Sequence, residues 1–223
     1  MASFSFVLEN ELEDFRSYIL ASCSNQLTVP RGTVLMRGGF PTECFYFVLD
    51  GLIRVSVFNT NGYERILGYH KRNTLLGMDG LKEGENVVVS STTLTSARVL
   101  RINRQELKTL CQRNIDFTME LLRYYSDVLK LMCYDAESQS SNSVLAKLSN
   151  FLVLYSQSRD YQVLGYIPFS QAELAASIGA SRVQVARVCA ELKKRGLIEV
   201  EKGKVFLLNE QGLMEYVSFQ DFR

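Results

Sequence analysis

Apolar and polar positions follow one pattern in the first half of this chain and another in the second. Between residues 27 and 102, short apolar stretches alternate with turns, a spacing typical of antiparallel β-structure. The predicted strands are residues 33–36, 44–49, 52–58, 63–69, 87–94 and 97–102. Asn61-Gly62 suits a two-residue hairpin turn between two of them. The pattern therefore predicts an N-terminal antiparallel β-barrel or jelly roll.

After residue 104 the apolar spacing becomes helical, with a short helix predicted at 105–111 and a long one at 115–135. Apolar residues in the long helix recur at steps of four and three, which is a heptad seam and predicts a dimer interface. That interface comprises Phe117, Leu121, Tyr124, Val128 and Leu131. A second row lies beside it: Leu122, Tyr125, Leu129 and Met132. The same pattern also fits a core helix of a single chain.

Residues 137–143 are rich in Ser, Gln and Asn without apolar periodicity, which favours a hinge there, and a helix is predicted at 144–155. Two further helix starts follow. Ser170 and Glu173 form a capping box, and Gly179 suits the tight turn before a helix capped by Ser181. The spacing predicts a helix-turn-helix.

The second of these helices has two distinct faces. Its apolar face comprises Val185, Val188, Cys189 and Leu192, whereas Arg182 and Arg187 lie opposite, near the N-terminal end. Arginine there suits bidentate contacts with guanine in the major groove. Two strands at 197–200 and 205–208 predict a wing that brings lysines to phosphates. The predicted DNA contacts are Ser170, Gln171, Ser181, Arg182, Val183, Gln184, Arg187, Lys202 and Lys204.

Charge locates this surface more precisely than overall composition does. The 223 residues carry a formal net charge of only +1, yet residues 182–204 hold seven basic residues against three acidic ones. The first 20 residues include four acidic side chains, which do not fit the basic and apolar regions of a signal peptide. No apolar run approaches the ~20 residues of a membrane helix. We expect a cytoplasmic protein without a membrane partner. The five cysteines show no CxxC spacing and are interpreted as reduced core residues.

Several of these residues resemble the CRP/FNR family of bacterial transcription regulators. In the first half they are Gly39, Glu43, the run Phe45-Tyr-Phe-Val-Leu-Asp-Gly51, and Gly62. In the second half Ser181-Arg182-x-x-Val185-x-Arg187 is similar to the family's recognition helix, which implies base contacts from both arginines. Val183 departs from the family, because many relatives have a glutamate there that accepts from cytosine.

The resemblance implies an α+β protein made of a sensor barrel like a cyclic-nucleotide-binding domain, a long dimerisation helix and a C-terminal winged helix-turn-helix. We place these at residues 1–112, 113–139 (with the hinge) and 140–223. The expected function is a dimeric, sequence-specific transcription regulator that binds double-stranded DNA. It would contact RNA polymerase if it is an activator.

The family's known effectors do not fit the residues present. Gly77-Met78-Asp79 and the apolar stretch after Asn86 lack the arginine that would neutralise the phosphate of cAMP. Cys23 is alone where iron-sulfur relatives cluster three cysteines, and His70, the sole histidine, is interpreted as structural and not as a haem ligand. We expect instead an unidentified apolar or aromatic effector. The pocket predicted for it comprises Gly77, Met78, Asp79, Val87, Val88, Tyr125 and Leu129.

Other classes of function remain as alternatives. A metal-dependent cupin-like enzyme would need several histidines, so we expect no catalytic activity. An effector-independent regulator fits the same residues. A degenerate protein-interaction adaptor would account for Val183 but leaves the basic wing without a role.

Overall fold

The computed structural model describes residues 6–141 and 143–218, which fall into two compact units. The first comprises Leu8–Val128, and the second comprises the chain from Leu129 onward together with Phe6 and Val7. No helix within the described ranges is both long and apolar enough to cross a membrane.

The first unit is built mainly of antiparallel strands. They are β1 (Val7–Leu8, whose Val7 belongs to the second unit), β2 (Gln26–Val29), β3 (Val34–Met36), β4 (Cys44–Asp50), β5 (Ile53–Phe58), β6 (Glu64–His70), β7 (Leu75–Leu76), β8 (Ser90–Thr93) and β9 (Ala97–Asn103). One sheet has the order β1-β6-β5-β8-β3, and the other has the order β2-β9-β4-β7. The helices are α1 (Arg16–Ser22), α2 (Arg104–Arg113) and the start of α3 (Ile115–Ser141), with 3₁₀ turns at Glu13–Phe15 and Met78–Gly80.

Strand β4 is buried on both faces, and this double burial organises the unit. Because successive side chains point to opposite faces, Phe45 and Phe47 enter one core while Val48 enters another. The Val48 core fills the barrel and includes Ile53 and Val99. The Phe45 core joins the outer face of β4 and β9 to the three helices. The barrel thus carries a helical layer on one side.

The structure confirms the predicted fold class and the six predicted strands, with shifted ends. The predicted strand at 87–94 shortens to Ser90–Thr93. The prediction of a two-residue turn at Asn61-Gly62 is wrong, because β5 ends at Phe58 and β6 begins at Glu64. The Asn59 side chain accepts hydrogen bonds from the backbone N–H groups of Asn61 and Tyr63, which stabilises a longer loop.

Helix α3 differs from its prediction in two ways. It continues to Ser141, so most of the predicted hinge at 137–143 is helical; Asn142 lies outside the described residues. The row assigned to a dimer interface is covered by the chain itself: Phe117, Leu121 and Tyr124 are 1%, 5% and 2% exposed. Val128 packs against the same core and Leu131 is also buried. Spacing alone did not distinguish the row that faces the barrel from its neighbour.

The second unit is a small helical domain with a two-stranded sheet. Besides the end of α3 it contains α4 (Val144–Ser156), α5 (Arg159–Leu164), α6 (Gln171–Ile178), α7 (Arg182–Lys194), β10 (Ile198–Glu201), β11 (Lys204–Leu207) and α8 (Glu210–Met214). Helix α4 packs against α6, α7 and α8. Leu148, Leu174, Val185 and Leu213 are at most 1% exposed, so the core lies among these four helices.

Candidate nucleic-acid interface

Helices α6 and α7 are fixed by their own caps, as the sequence predicts. Ser170 accepts from the Glu173 N–H, while a Glu173 carboxylate oxygen accepts from the Ser170 N–H at 2.8 Å. Gly179 has φ of 65°, in the left-handed region that closes a helix, and its N–H bonds to the Ala175 carbonyl. Ser181 then forms a second capping box with Gln184. The predicted helix-turn-helix is therefore present.

Helix α7 is amphipathic in the way that a major-groove helix requires. Val185, Val188, Cys189 and Leu192 are buried against the rest of the unit. The side chains of Arg182, Gln184 and Arg187 are exposed, and Val183 is 61% exposed. The first two turns of α7 therefore present two guanidinium groups, one amide and one apolar side chain on a free face.

Two of the three acidic residues between positions 182 and 204 are paired with cations away from this exposed face. The Lys193 ammonium donates to Glu199 and lowers the pKa of that carboxyl, and Arg195 donates to Glu191. Both pairs lie at the C-terminal end of α7 or beyond it. Within the described part of the chain, Arg182 and Arg187 form no ion pair, so their charge remains available to a phosphate or a base.

The predicted wing is a hairpin with a two-residue turn. Lys202 and Gly203 have φ of 40° and 81°, the two positive values that a tight type I′ turn requires. Ile167 pairs with Val205 at both backbone groups, 2.8 and 2.9 Å, which anchors the hairpin. Lys202 stands exposed at the tip. The Lys204 ammonium lies 4.3 Å from the centre of the Tyr166 ring, a cation–π contact that the sequence analysis missed.

The predicted effector-pocket residues are dispersed. Met78 and Tyr125 line one cleft. Val87 is buried inside the barrel at 1% exposure, whereas Val88 is 69% exposed, because neighbouring residues point to opposite sides. Gly77 makes a left-handed turn (φ 99°) and approaches Met36. Leu129 is exposed and belongs to the second unit.

Asp79 has a defined structural role in the segment that the family resemblance relates to a cyclic-nucleotide site. Its carboxylate accepts from the backbone N–H groups of Val88 and Val89 at 2.8 and 3.1 Å. These donors are thus already occupied by an anion.

His70, the last residue of β6, belongs to a hydrogen-bonded group that includes Tyr124 of α3. Its Nδ1 lies 3.2 Å from the Tyr124 hydroxyl oxygen, and this hydroxyl donates to the Leu75 carbonyl at 3.3 Å. Burial lowers the pKa of His70 to about 4, so the imidazole is neutral at physiological pH. No cluster of three or more His, Cys, Asp or Glu side chains that could hold a metal ion occurs among the described residues.

The exposed row of α3 is not the row that the sequence predicted as the dimer interface. It follows the same heptad steps and comprises Ile115, Met119, Leu122, Ser126, Leu129 and Cys133. Its large apolar members are between 44% and 69% exposed. Cys133 is exposed as well, so it is not the core residue that composition suggested. Residues 6–141 and 143–218 leave this apolar row uncovered.

Comparisons with known proteins agree with these two units. A family model for the cyclic nucleotide-binding domain matches residues 26–114, and one for the Crp-like helix-turn-helix domain matches residues 146–216. The anaerobic regulatory protein of Bacillus subtilis is 26% identical over 198 residues, covering 85% of this chain and 82% of that protein.

Solved structures show the same fold. A CooA mutant from Carboxydothermus hydrogenoformans superposes with a TM-score of 0.78 at 17% identity, covering 93% of this chain and 95% of that one. The c-di-GMP responsive global regulator CLP of Xanthomonas campestris gives 0.75 at 22% identity, covering 86% and 97%. A barrel joined to a winged helix-turn-helix defines a class of transcription regulators. This chain belongs to the CRP/FNR family of that class.

Proposed function

We propose that the first two turns of α7 read DNA sequence in the major groove. The observation that carries this proposal is the exposed face formed by Arg182, Val183, Gln184 and Arg187, opposite a fully buried one. A helix placed in this way can bring both guanidinium groups to guanine O6 and N7. The exposed Val183 suits the methyl group of thymine, where a glutamate would select cytosine.

Backbone phosphates are the partners that we assign to the rest of the surface. Lys202 and Lys204 on the wing supply cations, and the N-terminus of α6 supplies the backbone N–H of Gln171. The Ser170 hydroxyl is engaged with Glu173, as is its N–H, so its contribution is to hold α6 in place. Phosphate contacts of this kind set register and affinity but carry no sequence information.

We assign dimerisation to the exposed row of α3. In a parallel pair of α3 helices the heptad steps of this row would bury its leucines against the partner's. A two-fold dimer presents two copies of α7, so it should recognise a near-palindrome with half-sites ~34 Å apart. This assignment replaces the row containing Phe117 and Tyr124, which is already covered.

We assign control of this regulator to an effector other than cAMP, because the Asp79 carboxylate occupies the backbone N–H donors of Val88 and Val89. Helix α3 begins in the first unit and ends in the second. A ligand that binds one packing of α3 better than another shifts the population of DNA-binding dimers. We place this activity in the cytoplasm, with RNA polymerase as a further partner if the protein activates transcription.

Selection from a random duplex pool tests the proposal, using ligand-free protein at fixed low and physiological salt. We expect a near-palindromic consensus. Arg182→Ala or Arg187→Ala should each cost about 1–3 kcal/mol and relax preference at one half-site position. Lys202→Gln should weaken every sequence alike. If both arginine variants keep full discrimination, α7 is not the reading helix. If no sequence is enriched at either salt concentration, either an effector is needed to align the two helices or the chain is a protein-interaction adaptor.

A further inference from the structure

A cleft of about 490 Å³ lies in the first unit between α2 and α3. On α2 its wall is formed by Arg104, Leu107, Lys108 and Cys111, the spacing at which side chains share one helix face. Its volume falls within the range of small-molecule sites. Neither the predicted effector pocket nor the proposed DNA surface includes this α2 wall.

The α3 wall has the same periodicity and a mainly apolar surface. It comprises Thr118, Leu121, Leu122 and Tyr125. Its two hydroxyls are already bonded: Thr118 donates to the Cys111 carbonyl at 2.9 Å and Tyr125 to the Leu75 carbonyl at 2.9 Å. The cleft therefore offers a ligand apolar surface along most of its length.

Both cations of the cleft are one turn apart on α2. Arg104 donates to the carbonyls of Leu81 and Thr42, which are neutral groups, and it forms no ion pair with any described carboxylate. Lys108 is exposed and is likewise without an ion pair among the described residues. Arg104 also lies over the Phe45 ring, 5.8 Å from its centre. The cleft thus combines two cations that have no carboxylate partner among the described residues with an apolar floor, and such charge complementarity selects an anion.

We propose that this cleft binds an amphipathic monocarboxylate, with the carboxylate between Arg104 and Lys108 and an alkyl chain against Leu107, Leu121 and Leu122. Each part of the ligand meets a matching surface, because the charged group remains at the open rim while the chain leaves water. Leu122 also belongs to the exposed row of α3. A bound chain would therefore contact a residue that we assign to the dimer interface.

The site is tested by direct binding and does not depend on DNA recognition. Dodecanoate, below its micelle concentration, is titrated into the full chain by calorimetry, with dodecylammonium as the charge-reversed probe. We expect a Kd on the order of 10–100 µM for dodecanoate. Lys108→Gln should weaken binding about three- to fivefold, whereas Arg113→Gln, a neutralisation on the same helix outside the cleft, should change it by less than about twofold.

Two cysteines supply a second readout. Cys111 lines the cleft and is partly exposed, Cys133 is exposed elsewhere on α3, and the remaining cysteines are buried. Dodecanoate should slow maleimide alkylation of Cys111 in Cys133→Ser protein, and prior alkylation there should abolish binding. Alkylation of Cys133 in Cys111→Ser protein should leave its dodecanoate affinity equal to that of the unalkylated Cys111→Ser protein.

Three results would overturn the proposal. Equal binding of dodecylammonium would show that the two cations do not select the ligand. Unchanged Cys111 reactivity at saturating dodecanoate would place the ligand elsewhere. Protection of Cys111 that rises with protein concentration in the absence of dodecanoate would show that a second copy of the chain covers the cleft.

Discussion

Val183 stands in the first turn of α7 with 61% of its surface exposed, between residues that carry polar side chains. An apolar side chain at this position can contact a thymine methyl group but cannot accept a hydrogen bond from cytosine N4. Val183→Glu should therefore move the preference at one position of each half-site from thymine towards cytosine. The change should amount to about 1–3 kcal/mol per half-site in competition binding with single-base variants of the selected duplex.

Val163→Glu is a matched control for this experiment. It makes the same substitution at an exposed position of α5, where Val163 is 76% exposed. We expect it to lower affinity for all sequences slightly, through charge, without altering base preference. An unchanged base preference in Val183→Glu would mean that this turn of α7 does not reach the base edges.

The pKa of Glu11 depends on α3, a helix that is distant from it in sequence. Burial raises its pKa to about 7, and the nearby carboxylates of Asp127 and Glu120 add to the rise. Between pH 4.5 and 7 the folded chain holds a proton there that the unfolded chain has lost. The stabilisation from this proton is complete below pH 4.5 and is lost as the pH rises through 7.

Glu11→Gln should therefore stabilise the protein at pH 8 by about 1–3 kcal/mol and have little effect at pH 4, as measured by urea unfolding at both values. Glu13→Gln is the control, since Glu13 is an exposed carboxylate nearby. Equal effects of Glu11→Gln at the two pH values would show that the buried carboxyl does not titrate in this range.

At the scale of elements, the exposed row of α3 makes its own prediction. Cys133 occupies this row, one heptad step beyond Leu129. In a parallel dimer the two Cys133 thiols would face each other across the seam. Mild oxidation should give a covalent dimer in wild-type protein and in Cys111→Ser, but not in Cys133→Ser, on non-reducing gels. A monomer in all three samples would contradict a parallel pairing along this row.

The sequence predicted best those elements that are fixed by interactions between residues close together in the chain. The caps at Ser170 and Ser181 and the turn at Gly179 act within four residues, and α6 and α7 appear where they were expected. The wing is equally local. Helix α5 has too few apolar residues to show a period, so its cap at Ser158 was missed.

Elements that depend on distant contacts were harder to predict. The buried row of α3 was visible in the sequence, and the second predicted row shares only Leu122 and Leu129 with the exposed one. Which side of α3 faces the barrel is decided by Phe45 and Phe47 on β4. The cleft between α2 and α3 was missed for the same reason, because its two walls come from different helices. Of the predicted effector pocket, only the pair Met78 and Tyr125 lines this cleft together.

At the scale of the whole molecule, the CRP/FNR fold places the cleft and the proposed DNA-reading helix in different units. The first unit contains the cleft and the barrel, and the second contains α7 and the wing. Helix α3 contributes to both units and carries the exposed row. We therefore expect ligand occupancy to act on DNA binding through the dimer and not through the α7 side chains themselves.

The central claim is that two α7 helices of one dimer read successive major grooves. It is tested most directly by measuring binding to the selected duplex and to a variant with ~5 base pairs, half a helical turn, inserted between its half-sites. The account predicts that the insertion lowers affinity at least about tenfold, because the second helix then meets the opposite side of the duplex. Equal affinity for the two duplexes would contradict it, since each copy of α7 would then act alone.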